Sequence, residues 1–291
     1  MRARSLAAVA VLAVALGCST KKPVIPPDKL WSEANAAYKD EAWELAVDRY
    51  KMLLDQHPFD ENAEEAELRI AQSYYAARRY PEAIAAFGDF ERMHPTSSEL
   101  PMVEYHLGMS YVAQASTSDR DQQSHTNAYT YFRNLVDRFP NSEWADKARL
   151  RMRECRESMA RHEADIAAYY LRHGNLKAAE ARLRALLADY PETEATAQAL
   201  YTFADEYARR KEDTGATLAL ATLVHHHPEG PLAIDARRRL GDDPKLLDGD
   251  DPLPQLVTHL DEVSIQADRQ KLPQSVSAYP DQPGATATTT Y

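Results

Sequence analysis

Ala46-Val47-Asp48-Arg49-Tyr50-Lys51-Met52-Leu53-Leu54-Asp55-Gln56-His57-Pro58 decides the fold of this chain. Counting back from the proline, Ala46 stands at twelve residues, Tyr50 at eight and Leu53 at five. Those offsets fall on one face of an α-helix, with the smallest side chain where a neighbouring helix comes closest. Proline then stops the helix, because it lacks the N–H and clashes with the preceding turn. The same three offsets recur before four more prolines: Ala83, Phe87 and Phe90 before Pro95; Ala128, Phe132 and Leu135 before Pro140; Ala179, Leu183 and Leu186 before Pro191; Ala216, Leu220 and Leu223 before Pro228. Thirteen and sixteen residues after Pro58, Pro95 and Pro191, a small residue is followed by an aromatic one: Ala71 and Tyr74, Gly108 and Tyr111, Ala204 and Tyr207.

Small then aromatic on a first helix, alanine on a second and proline at its end is the tetratricopeptide pattern. In such repeats no helix pair buries its apolar face alone, so neighbours must stack. The spacing predicts an all-α fold, a right-handed solenoid of about five tetratricopeptide-type helix pairs. Successive prolines lie 37, 45, 51 and 37 residues apart, and the long intervals locate the irregularities. The third repeat carries an insertion, Ser116 to Ser124, between its two helices. Between Pro140 and Gly174 the helical pattern is almost unbroken, which predicts a joining helix of about 30 residues, roughly 45 Å, capped by Ser142 and stopped by Gly174. Front repeats 1–3 then occupy 29–140, and the joining helix with back repeats 4–5 occupies 141–240. From Gly241-Asp242-Asp243-Pro244 onward the pattern dies, and the acidic, Pro- and Thr-bearing stretch 241–291 reads as disordered.

Composition agrees. Only 9 of 291 residues are glycine, and the formal charge is −11, from 45 acidic and 34 basic side chains. A nucleic-acid binder needs a basic stripe to release counterions, and the nearest thing, Arg237-Arg238-Arg239, sits where cations complement the end of a helix dipole.

Met1 to Arg4 is a basic start, and Leu6 to Leu16 is an apolar run of eleven residues, too short for a bilayer that needs about 20. Residues 1–17 therefore read as a signal peptide. Ala15-Leu16-Gly17-Cys18 resembles the lipobox at which bacterial lipoproteins are cleaved and acylated, though leucine stands one place later than is usual. That resemblance makes Cys18 the lipid attachment site, with 18–28 a tether carrying Pro23, Pro26 and Pro27. Ser19, where an aspartate would retain a lipoprotein at the inner membrane, implies sorting to the periplasmic face of the outer membrane. The second cysteine, Cys155, reads as a small buried hydrophobe.

From about Leu30 to Leu240 the chain resembles the BamD (YfiO) family of outer-membrane assembly lipoproteins. His57-Pro58-Phe59, Ala71 to Tyr75, Asp119-Arg120-Asp121-Gln122, Phe139-Pro140-Asn141-Ser142, Tyr169-Tyr170, Gly174, Arg182 and Tyr190-Pro191-Glu192-Thr193 carry the resemblance. It implies a subunit of the β-barrel assembly machine that scaffolds the complex and receives unfolded outer-membrane β-barrel precursors. The implied partners are the periplasmic domains of the barrel-forming subunit, met in part by Arg182, and other assembly lipoproteins. A tetratricopeptide scaffold for another envelope machine, a pilus or a cell-wall complex, is the alternative.

First helices of stacked repeats line the concave face. Counting from the prolines, that face should present Trp31, Asn35, Tyr38 and Lys39, then Leu68, Gln72 and Tyr75, then Tyr105 and Met109. Aromatic anchors, amides for a client backbone and Lys39 for a terminal carboxylate suit an extended segment ending in an aromatic residue. The sequence holds no Gly-rich phosphate loop, Gly-x-Ser-x-Gly or His-Glu-x-x-His, so neither catalysis nor a cofactor is expected. His225-His226-His227 points its rings about 100° apart on a helix, which does not converge on one metal ion.

Overall fold

The computed structural model describes residues 24–115, 122–241 and 249–271. Cys18, the signal peptide, residues 18–23 of the tether and residues 116–121 of the insertion lie outside them. Twelve helices run through the described residues: α1 Pro27–Lys39, α2 Trp43–Gln56, α3 Ala63–Ala76, α4 Tyr80–Met93, α5 Leu100–Ala115, α6 Gln122–Arg138, α7 Glu143–Arg172, α8 Leu176–Asp189, α9 Glu194–Arg209, α10 Asp213–His226, α11 Pro231–Leu240 and α12 Leu253–Lys271. Consecutive pairs from α1/α2 to α9/α10 are the five repeats, so the fold is all-α and of tetratricopeptide type. Helix α1 already begins at Pro27, where fixed φ and a missing N–H suit the first turn. The tether therefore ends two residues earlier than its prolines suggested.

The repeat pattern is the core. Ala46, Ala83, Ala128 and Ala179 are fully buried and Ala216 is 9% exposed. The large residues four and seven places on, from Tyr50 and Leu53 to Leu220 and Leu223, are buried to 4% or less. Each is worth about 1.5–3 kcal/mol relative to exposure. Gly108 shows why the first helix needs a small residue: a Cβ there would meet the Phe132 ring at 2.4 Å.

The chain forms two compact units, divided after Ala86 within α4. In the first, α2 packs between α1 and α3. In the second, two cores follow one another. Ala128, Phe132 and Leu135 of α6 meet Ala145, Ala148 and Cys155 of α7 in one. Ala160 and Ala167 of the same α7 join α8 to α12 in the other. Helix α7 is the expected joining helix, 30 residues long. Ser142 caps it by accepting from the Ala145 N–H at 3.2 Å, and Gly174 ends it with φ +73°. Glu157, midway along α7, accepts the N–H groups of Glu194 and Ala195 at 2.9 and 3.1 Å, so one carboxylate also caps α9.

Beyond Gly241 the structure departs from the expectation of disorder. Residues 253–271 form α12, which packs on α8 and α10. Leu256 and Leu260 are fully buried, Arg184 of α8 donates to the Leu260 carbonyl at 3.1 Å, and His259 lies 2.6 Å from Glu212.

Candidate functional site

In the first unit the face shared by α1 and α3 gathers most of the aromatic and amide side chains expected there. Tyr38 donates its hydroxyl to Gln72 Oε1 at 3.0 Å, joining the first helices of two repeats. The Arg69 guanidinium lies 4.7 Å from the Tyr38 ring centroid and pairs with Glu65 at 3.1 Å. Trp31 meets Tyr50 edge-on at 5.7 Å, and Tyr50 donates to Asn35 Oδ1 at 2.7 Å. Burial pushes the Tyr50 phenol up to about 12, so it stays a donor. Asn35 is thus committed to internal packing. Lys39 is exposed in the last turn of α1, and Tyr75 is half-buried, edge-on to Tyr80 at 6.0 Å.

Leu68 needs correction. It is 7% exposed, a core residue that presents nothing to a client. The proline offset locates its helix, but Leu68 falls on the packed side of α3. Tyr105 and Met109, in the second unit, are half-buried against the core built on Phe132, with Tyr105 5.8 Å from the Phe132 ring and 5.1 Å from Trp144. Packing occupies much of both side chains. Arg69 was missed because its partner Tyr38 is 31 residues away, a cross-helix stacking that no local spacing encodes.

In the back repeats Arg182 on α8 donates to Glu163 Oε2 of α7 at 2.9 Å and keeps 41% of its side chain exposed. The three consecutive histidines diverge. His226 Nε2 lies 3.1 Å from Asp251, and His227 Nε2 lies 3.0 Å from the Pro191 carbonyl. Among the described residues no group of three or more His, Cys, Asp or Glu is placed to hold a metal. Arg237, Arg238 and Arg239 are each engaged locally, with the Pro228 carbonyl, Asp235 and Asp205 at 2.9, 2.7 and 2.7 Å. Burial pushes the Cys155 thiol up to about 12, as for an inert core cysteine. No described helix is long and apolar enough to cross a membrane.

Helix pairs with a common buried alanine, presenting rings, amides and a cation from their first helices, define a tetratricopeptide-type domain. The chain belongs to the YfiO family of outer membrane lipoproteins, whose model matches residues 23–219. It is similar to the outer membrane protein assembly factor BamD of Vibrio cholerae, 29% identical over 213 residues that cover 69% of this chain and 88% of that protein. The BamD of Caulobacter vibrioides is 29% identical over 245 residues, 82% of this chain and 80% of the relative. Among solved structures, the TPR2AB-domain:pHSP90-complex of yeast Sti1 aligns at a TM-score of 0.40 and 15% identity, covering 83% of this chain and 98% of that one, too low to carry an argument.

Proposed function

We propose that this chain is a lipid-anchored subunit of the machine that assembles β-barrel proteins in the outer membrane. Cys18 carries the anchor. The α1/α3 face receives the extended, aromatic-ended segment of an unfolded precursor, and the back repeats dock the periplasmic domains of the barrel-forming subunit beside other assembly lipoproteins. Membership of the YfiO family over residues 23–219 carries this reading. The α1/α3 face supports it chemically: Tyr38 and Tyr75 offer ring surface, Gln72 an amide, and Arg69 and Lys39 positive charge for a terminal carboxylate.

The test is a titration with a peptide copying the last ten or so residues of a barrel protein, against wild type, Tyr38→Ala and Tyr75→Ala. Removing an aromatic anchor should weaken binding about tenfold, the effect of a hot spot worth more than 1 kcal/mol. Equal affinity for all three proteins, or for a scrambled peptide, would remove this face as the receptor.

A further inference from the structure

The end of the first repeat holds two unusual side chains. Phe59 is 100% exposed and Val24 is 72% exposed, against 48–60% for the other exposed large hydrophobics among the described residues. Exposed apolar residues scattered singly need no explanation. These two flank one clasp. The Ile25 N–H donates to Gln56 Oε1 at 2.9 Å, and the Ile25 carbonyl lies 2.8 Å from His57 Nε2. The chain segment after Val24 is therefore tied to the C-terminal end of α2, two residues before Phe59.

The turn that presents Phe59 is ordered by its own bonds. The Asp60 N–H donates to the His57 carbonyl at 3.1 Å, and Asp60 Oδ1 accepts from the Asn62 backbone and side chain, both at 2.9 Å. An aromatic ring held out at full exposure by a fixed turn is set for contact with something apolar.

Val24 lies six residue steps after Cys18. At full extension they reach about 20 Å, so an acylated Cys18 keeps this corner within that distance of a bilayer. Beside Phe59 the α2–α3 turn carries two acidic residues, Asp60 and Glu61. Acidic side chains gain nothing from an anionic surface, so what remains for a bilayer is the apolar pair.

We infer that Phe59 and Val24 form a membrane contact, in which the α2–α3 turn seats in the interfacial zone of a zwitterionic bilayer and orients the first unit on the membrane. The inference rests on the anchoring of Cys18 proposed above. Acyl chains hold the protein on the bilayer; Phe59 fixes which side of the repeat faces it.

The experiment uses full-length protein reconstituted in phosphatidylcholine vesicles whose acyl chains are brominated near the headgroup. Intact mass first reports acylation of Cys18; an unmodified Cys18 overturns the anchoring reading and this inference with it. With acylation confirmed, Phe59→Trp is compared with Leu45→Trp, at an exposed position about 16 Å back along α2. Phe59→Trp should show an additional emission component, blue-shifted and quenched by the brominated lipid, and the quenching should persist in high salt. Quenching no greater than for Leu45→Trp overturns the membrane contact and leaves the anchor standing. Shielding of Phe59→Trp only when a barrel-derived peptide is added also overturns it, and would assign the turn to the client instead.

Discussion

Four of the five repeats share one more backbone position. Glu41, Arg78, Gly174 and Lys211 all have positive φ, between 57° and 73°, and each lies seventeen residues before its repeat's proline. Each turns the chain from first helix to second, and only one is a glycine. A side chain in the left-handed region costs about 1–2 kcal/mol, whereas glycine adds up to about 1 kcal/mol of unfolded-state entropy. Lys211→Gly should therefore stabilise the protein by about 0.5 kcal/mol, and Gly174→Ala should destabilise it by at least as much; chemical denaturation measures both. Glu104 gives a second test. Its side chain on α5 is fully buried, shared with Arg138 of α6, and burial pushes its carboxyl up to about 7. The folded state thus holds this proton more tightly than the unfolded chain, whose ordinary value is 4.5. That contribution is complete below the unfolded value and is lost as pH rises through 7. Glu104→Gln should flatten the fall in melting temperature between about pH 5 and 8 and exceed wild type at the alkaline end.

At the scale of elements, legibility follows the range of the signal. The joining helix could be read because its start and stop are local: Ser142 bonds three residues on, and Gly174 supplies its own conformation. Alanine, aromatic and leucine offsets located five second helices because proline marks each end. Helix α12 was missed because it follows Gly241-Asp242-Asp243-Pro244, and its order comes from contacts distant in sequence. Arg184 reaches Leu260 across 76 residues, and His259 stands over Gly215, where a Cβ would lie 2.9 Å from its Nε2. Leu260→Asp should free α12 while leaving α1 to α6 folded. Hydrogen exchange would then rise across 253–262 and on the facing sides of α8 and α10; exchange unchanged in all three would mean Leu256 alone holds the helix.

Over the whole molecule, helical period was enough to place Tyr38, Gln72 and Tyr75 on first helices. Period does not distinguish a side chain facing solvent from one turned inward, as Leu68 is by burial and Asn35 by its bond to Tyr50 in the same repeat. Arg182 shows the same limit. Its pair with Glu163 is partly exposed and worth about 0–1 kcal/mol. Arg182→Glu should weaken copurification of the barrel-forming subunit and cost a little stability by facing Glu163. Adding Glu163→Arg should return the stability but not the partner; recovery of both would make Arg182 a purely internal tie.

Helix α7 lends Cys155 to one core and Ala160 to the next within a turn and a half of itself. Stacked repeats ordinarily come apart like coins from a roll, each seam yielding in turn. A rod embedded in both neighbours removes the seam between them. Load applied across the second unit is shared along that rod, which makes it a stiff beam.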